Sequence, residues 1–207
     1  MILRHDDGAL CTLTLNRPDK ANSLTRAMLA DLLAHLGRMD GMQALILTGA
    51  GKVFSAGADL DEARAGLATD PVWVQVSGAL AALPCLTVAA LNGTLAGGAN
   101  GMVLACDIRL AVPSAKVFYP VMKLGYLPQP SDPARLAALV GPGRARMILM
   151  AGARIEAEEA LSWGLIDRLS APETLMDDAR ALCADALAAP PGHAGRSNAM
   201  IPRTWSH

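Results

Sequence analysis

Two short glycine-rich stretches contain the residues of this sequence that are best suited to chemistry. FSAGADL occupies residues 54–60 and NGTLAGGANG occupies residues 92–101, and each follows an apolar run that is typical of a buried strand. Glycine and alanine let backbone N–H groups approach a ligand closely. Two such groups that converge on one carbonyl oxygen form an oxyanion hole, which stabilises the charge that this oxygen gains during a reaction. The two stretches together predict such a site.

The composition limits the class of protein. A chain of 207 residues fits one domain, and its 52% hydrophobic but only 3% aromatic content predicts a core of aliphatic side chains. The net charge of −1 gives no argument for nucleic acid or an anionic membrane as a partner, and the local exception is a loose basic group of Arg17, Lys20 and Arg26. The four cysteines form no CxxC pair, no metal-ligand spacing occurs, and no apolar run is long enough for a membrane span. We therefore expect a cytoplasmic protein with reduced thiols and no metal.

Strand-like and helix-like segments alternate along the chain, which predicts an α/β fold. The strand-like runs are 10–16, 44–48, 86–91, 108–112 and 116–118. The helix-like runs are 25–39, with Thr25 as its N-cap, 72–83, 98–106, 144–150, 156–163 and 172–187. Periodicity ends after residue 187, where Pro190 and Pro191 stop the last helix.

Six motifs in a fixed order resemble the crotonase superfamily, the enoyl-CoA hydratase/isomerase family. They are NRPDKANSL at 16–24, FSAGADL at 54–60, LNGTLAGGANG at 91–101, CDIR at 106–109, GARIEAEEA at 152–160 and WGLID at 163–167. The resemblance implies a spiral of ββα turns with a helical C-terminal region, and a homotrimer or a hexamer built as a dimer of trimers. On this basis residues 1–189 form the crotonase-like domain, and residues 190–207 are expected to be an irregular tail.

The resemblance also implies the binding residues. The oxyanion donors would be the backbone N–H groups of Ala56 and Gly98. Coenzyme A would enter as part of the substrate, an acyl-CoA thioester, and not as a tightly bound cofactor. Its expected contacts are Lys20, Ala21, Ala58, Asp59 and Leu60. Lys20 would meet a phosphate, with Arg17 and Arg26 as alternatives, and Asp59 is also suited to cap the helix that follows it.

The expected acid and base are missing from their usual positions. Hydratases of this family use two glutamates, and the matching positions here hold Gly101 and Val121, neither of which can transfer a proton. Other members place an acid on the next loop, where this chain has Gln129, with Asp132 as the nearest carboxylate. Asp132 is either a catalytic group or an N-cap before Pro133. Tyr119 is either a phenolic donor or a half-buried aromatic at a strand end.

Three functions remain open from the sequence. The first is an acyl-CoA enzyme that stabilises a thioester enolate, as a decarboxylase, isomerase or hydrolase and not as an ordinary hydratase. The second is a catalytically inactive acyl-CoA-binding homologue, and the third is a purely structural oligomer. Family members usually continue through further helices that close the acyl pocket. We therefore expect either that a neighbouring subunit covers the pocket or that the pocket is open.

Overall fold

The computed structural model describes residues 1–201, and its strands form two sheets. The strands are β1 (Ile2–Asp7), β2 (Leu10–Leu15), β3 (Ala44–Gly49), β4 (Val53–Ser55), β5 (Leu86–Leu91), β6 (Thr94–Ala96), β7 (Ile108–Ala111), β8 (Lys116–Phe118), β9 (Ile155–Glu156) and β10 (Arg168–Leu169). The larger sheet has the order β1-β2-β3-β5-β7-β10, and the smaller has the order β4-β6-β8-β9.

Six of the eight strand pairs in residues 1–201 are parallel, and parallel pairs need crossover connections, which are usually helical. Only β1 with β2 and β8 with β9 are antiparallel. The helices are α1 (Arg26–Leu36), α2 (Leu60–Arg64), α3 (Val72–Ala81), α4 (Asn100–Ala105), α5 (Val121–Leu124), α6 (Asp132–Leu149), α7 (Ala157–Trp163), α8 (Leu175–Ala188) and α9 (His193–Ala199). Helix α6 is kinked at Gly141, whose φ is +80°. This alternation of strands and helices confirms the α/β prediction.

The core is aliphatic, as the composition predicts. Strand β3 is buried over five of its six residues, because parallel strands are covered on both faces. Helix α1 buries Met28, Leu29, Leu32 and Leu36, the spacing of one helical face, and the Thr25 side chain accepts a hydrogen bond from the N–H of Met28. The four cysteines are buried and unpaired with one another. None of the helices in residues 1–201 is long and apolar enough to cross a membrane.

The prediction of an irregular tail from residue 190 is wrong for part of it, because α9 lies there. Its residues show no apolar period, since it packs through small side chains and not through an apolar face. A Cβ on Gly195 would lie 2.5 Å from the carbonyl oxygen of Pro84. Asn198 adds a hydrogen bond of 3.2 Å to Asp107. Residues 202–207 of the predicted tail lie outside the described part of the chain.

Candidate active site

The two glycine-rich stretches meet where β4 and β6 end side by side in the smaller sheet. Gly57 has a φ of +89° and Gly97 a φ of +57°, a region that favours glycine. A Cβ on Gly57 would lie 2.9 Å from the carbonyl oxygen of Ala96 and 3.2 Å from the Cα of Gly97. The loops therefore approach each other through their backbones, and at Gly57 a side chain would separate them.

One predicted oxyanion donor is wrong. The N–H of Ala56 donates a hydrogen bond of 2.9 Å to the carbonyl of Ala21, so it is not available to a ligand. The N–H of Leu24 donates to Gly57, and the N–H of Asp59 donates back to Leu24. In such a parallel bridge the intervening residue, Ala58, directs its own N–H away from the paired chain. Ala58 also lines a cavity, so its N–H replaces that of Ala56 as the candidate donor.

Gly98 provides the second candidate donor, at the position that the sequence predicts. It lies in the short 3-10 helix Gly97–Ala99, where the first N–H groups have no acceptor within the helix. Gly98 lines the same cavity as Ala58. A Cβ on Gly98 would lie 3.2 Å from the indole ring of Trp73. Glycine thus lets the indole cover this backbone closely.

The cavity has a volume of about 300 Å³ and is mainly apolar. Trp73 and Tyr126, two wall residues that sequence reasoning missed, come from α3 and from the loop after α5. The Trp73 indole N–H donates a hydrogen bond of 2.8 Å to the carbonyl of Leu67, which fixes the ring. Because only 3% of the residues are aromatic, the tryptophan at the start of a predicted helix was the feature that could have indicated a wall residue of the cavity.

A buried carboxylate lies behind this wall. Asp132 is 0% exposed, and the Tyr119 hydroxyl donates a hydrogen bond of 2.9 Å to its Oδ2 atom. A Cβ on Gly101 would lie 2.7 Å from Oδ1 and 3.0 Å from Oδ2 of Asp132. The carboxylate of Asp132 therefore occupies the space that the side chain of any larger residue at position 101 would enter.

Asp132 does not cap its helix. The N-cap of α6 is Ser131, and no side chain makes a capping hydrogen bond there. The carboxylate of Asp132 turns inward, where the Ser131 hydroxyl donates a bond of 3.3 Å to its Oδ1 atom. Burial raises the pKa of the Asp132 carboxyl to about 6, although the Tyr119 hydrogen bond and the Arg135 charge lower it in part. Burial, followed by the Asp132 charge, raises the pKa of the Tyr119 hydroxyl.

Gln129 and Val121 both line the cavity. The side-chain amide of Gln129 donates a bond of 3.1 Å to the carbonyl of Ala68, and its backbone N–H donates one of 3.3 Å to the Tyr119 hydroxyl. Val121 is buried at the start of α5. Gln129 can therefore orient groups by hydrogen bonds, whereas neither residue can act as a general base.

Of the cations considered for a phosphate, two are paired with carboxylates. Arg17 lies 2.8 Å from Asp59, and Arg26 pairs with Asp70. Lys20 is exposed and has no ion pair within the described residues. Asp59 caps α2, as predicted, by accepting bonds from the N–H groups of Asp61 and Glu62. The Arg17 hydrogen bond is the main cause that lowers the pKa of Asp59.

Asn22 holds the first loop in place. It is 0% exposed and has a φ of +50°, as does Ala21. Its side chain accepts a bond of 2.8 Å from the N–H of Arg17 and donates to the carbonyls of Ala50 and Val53 at 2.8 and 2.7 Å. The backbone carbonyls of Ala21 and Asn22 accept bonds from the Ala56 N–H and the Ser55 hydroxyl. The NRPDKANSL motif thus braces FSAGADL, which the resemblance alone did not explain.

Of the remaining predicted contacts, Ala58 and Leu60 line the cavity, whereas Ala21 and Asp59 are half-buried nearby. Among residues 1–201, no group of three or more histidine, cysteine, aspartate or glutamate side chains is arranged to hold a metal ion. The cavity offers backbone donors, a tyrosine and a glutamine amide, and one buried carboxylate lies behind its wall.

Comparison with known proteins finds similar proteins over most of the chain. A family model described as enoyl-CoA hydratase/isomerase matches residues 5–204. YngF of Bacillus subtilis, named as an enoyl-CoA hydratase/isomerase, is 38% identical over 185 residues, which are 84% of this chain and 71% of YngF. The 1,2-epoxyphenylacetyl-CoA isomerase of Escherichia coli is 35% identical over 87% of this chain and 74% of its own. The solved enoyl-CoA hydratase of Mycobacterium tuberculosis superposes with a TM-score of 0.85 at 32% identity, over 95% of this chain and 86% of that one.

Proposed function

Since this chain belongs to the enoyl-CoA hydratase/isomerase family, we propose that it binds an acyl-CoA thioester and stabilises its enolate between the two glycine-rich loops. The observation that carries the proposal is that the N–H groups of Ala58 and Gly98 have no partner in their own loops and belong to residues that line one cavity. When a thioester loses its α-proton, the negative charge moves to the carbonyl oxygen. Fixed donors that meet this oxygen stabilise the charge, by about 3–4 kcal/mol for one donor.

The reaction is an enolate reaction other than ordinary hydration. Adding water across a double bond needs one group that activates the water and one that exchanges the α-proton. Val121 is a cavity residue without an ionisable group, and the space beside Gly101 is filled by Asp132. Isomerisation and decarboxylation form an enolate with fewer ionisable groups than hydration needs, whereas hydrolysis would place a tetrahedral oxyanion, and not an enolate, between the same donors. The similarity to 1,2-epoxyphenylacetyl-CoA isomerase favours isomerisation among them.

The coenzyme A part of the substrate enters over Ala58 and Leu60, and Lys20 meets a phosphate. Lys20 is favoured over Arg17 and Arg26 because a carboxylate already neutralises each arginine. Most other contacts in this region come from backbone groups and small side chains, which suit the pantetheine chain.

We also propose assembly as a trimer or a dimer of trimers. Leu60, Leu124 and Leu127 line the cavity yet are 64%, 52% and 82% exposed. Apolar side chains clustered at a cavity mouth are typical of a surface that a ligand or a subunit covers. Light scattering that shows a stable monomer would contradict the assembly.

Calorimetry with three ligands tests the binding. We expect butyryl-CoA to bind more tightly than free coenzyme A, and free butyrate not to bind measurably, because the thioester contacts both the coenzyme region and the oxyanion donors. Equal binding of butyryl-CoA and coenzyme A would remove the oxyanion role. No binding of either would remove the acyl-CoA function.

The alternative function, an inactive acyl-CoA-binding protein, shares the binding result. It is favoured by one observation, namely that the Asp132 carboxylate, which accepts the Tyr119 hydrogen bond behind the cavity wall, is completely buried. Turnover separates the two functions, since an inactive protein would bind butyryl-CoA without labilising its α-proton.

A further inference from the structure

We propose that the Tyr119 hydroxyl exchanges the α-proton of the bound thioester, and that the buried Asp132 carboxylate drives this exchange by accepting the Tyr119 proton. This inference rests on the proposed function, because it needs a thioester in the cavity. Tyr119 would be the catalytic residue, and Asp132 would act through it without touching the substrate.

The first support is the placement of the carboxylate. The family resemblance puts one hydratase glutamate at position 101 of this chain, where α4 has glycine. The two carboxylate oxygens of Asp132 lie 2.7 and 3.0 Å from the point that a Gly101 Cβ would occupy. A carboxylate is thus present beside this position, but it comes from the start of α6 and not from α4.

The second support is the hydrogen bonding of Tyr119. Its hydroxyl donates to Asp132 Oδ2 at 2.9 Å and accepts from the backbone N–H of Gln129 at 3.3 Å. A phenolic oxygen has two lone pairs, so one stays free after these two bonds. Tyr119 lines the cavity, whereas Asp132 does not. Tyr119 therefore lies between the Asp132 carboxylate and the cavity.

The proton transfer balances without a further reactant. The α C–H bond of the thioester breaks, and its proton goes to the Tyr119 oxygen. The original Tyr119 proton moves to Asp132 Oδ2, which becomes a neutral carboxyl. The electron pair of the broken bond forms the enolate, whose negative charge lies on the oxygen held by Ala58 and Gly98. The reverse transfer returns a proton to the same carbon or, in an isomerisation, to another carbon of the acyl chain.

The surroundings of Asp132 suit a proton acceptor near neutral pH. The charged group beside it is the Arg135 guanidinium on its own helix, which donates bonds of 3.2 Å to the Ser131 hydroxyl and 3.5 Å to the Ser77 carbonyl. Tyr119 is the titratable group that faces it from the cavity wall. Helices α3 and α4 contain no ionisable side chain. The pKa of about 6 leaves the carboxylate mostly ionised at neutral pH and basic enough to take a proton.

Exchange of the α-protons of butyryl-CoA for deuterium, followed by NMR, tests the proposal. We expect the unmodified protein to catalyse exchange with a rate that rises through about pH 6 and then levels off. Tyr119→Phe and Asp132→Asn should each reduce exchange at least about 10²-fold while butyryl-CoA still binds. Asp132→Asn should also abolish the rise near pH 6, which a purely structural role of Asp132 would leave in place.

Asp107→Asn is the matched control. Asp107 is hydrogen-bonded to the N–H and hydroxyl of Thr87 at 2.8 and 2.7 Å, outside the cavity, so exchange should be unchanged. The proposal is overturned if Tyr119→Phe or Asp132→Asn exchanges protons at the rate of the control. It is also overturned if the unmodified protein binds butyryl-CoA without exchange. Either result leaves acyl-CoA binding intact. Absence of butyryl-CoA binding would remove the proposed function as well. The pH profile of the unmodified protein decides the matter if a site variant does not fold, since a flat profile overturns the role of Asp132.

Discussion

Substitution of Gly101 by alanine measures how tightly Asp132 fills the space beside α4. The new methyl group would lie 2.7 and 3.0 Å from the two carboxylate oxygens, so Asp132 or the helix must move. Overpacking of this kind costs about 1–3 kcal/mol of the free energy of unfolding. Replacing a helical glycine by alanine gains about 1 kcal/mol. We therefore expect Gly101→Ala to be close to neutral or to destabilise by up to about 2 kcal/mol.

The same substitution in an Asp132→Ala background should have the opposite sign. Without the carboxylate, the methyl group has room, and only the gain of about 1 kcal/mol from helix propensity remains. The double-mutant cycle should therefore give a coupling of about 1–3 kcal/mol. Urea unfolding at one fixed protein concentration measures each free energy.

Gly78→Ala is the control for this cycle. Gly78 lies within α3, and a Cβ there would meet nothing within 4 Å. It should stabilise the protein by about 1 kcal/mol whether or not Asp132 is present. A Gly101 coupling below about 0.5 kcal/mol, the usual limit of additivity, would refute the idea that Asp132 occupies this space.

Three further outcomes follow from the site. The folded protein binds the Asp132 proton more tightly than the unfolded chain, because the pKa of this carboxyl is about 6 in the fold against an ordinary value of 3.8. The stability that this proton contributes, ~3 kcal/mol, is therefore present at low pH and is lost as the pH rises through about 6. Asp132→Asn should abolish this pH dependence in urea unfolding measured at several pH values. Asn22→Ala removes the three hydrogen bonds of the buried Asn22 side chain and should cost ~3 kcal/mol by the same assay while weakening butyryl-CoA binding in calorimetry. Hydration of crotonyl-CoA, followed by its ultraviolet absorbance, should be slower than in a relative with glutamates at positions 101 and 121 by about 10²–10⁴-fold, and hydration at that relative's rate would contradict the assignment of Gly101 and Val121.

Local pattern was sufficient for the regular elements. The run 86–91 became β5 without change, and the run 25–39 contains α1 with Thr25 as its cap, because apolar periodicity and capping are local properties. The short strands β4 and β6 were not predicted. They have three residues each and pair only with strands that are distant in the sequence. What makes them strands is this pairing, which the local sequence does not reveal.

The site needed the three-dimensional structure. Ala56 and Ala58 are equally small in the sequence, and only the bond from Ala56 to Ala21 separates the engaged N–H from the candidate donor. Asp132 before Pro133 has the local pattern of a cap, yet contacts with Tyr119 and the space beside Gly101 turn it inward. Tyr119 and Gly101 lie 13 and 31 positions before Asp132, so a local sequence pattern cannot predict these contacts.

A spectroscopic titration with acetoacetyl-CoA tests most directly the proposed stabilisation of a thioester enolate by the N–H groups of Ala58 and Gly98. The enolate of this thioester absorbs in the near ultraviolet, and donors that favour the charged oxygen lower the pKa of the α-carbon. We predict that the protein raises the enolate absorbance at a pH where the free ligand is mainly in its keto form, with saturation at the affinity found by calorimetry. Binding in calorimetry without any enolate absorbance would contradict the account.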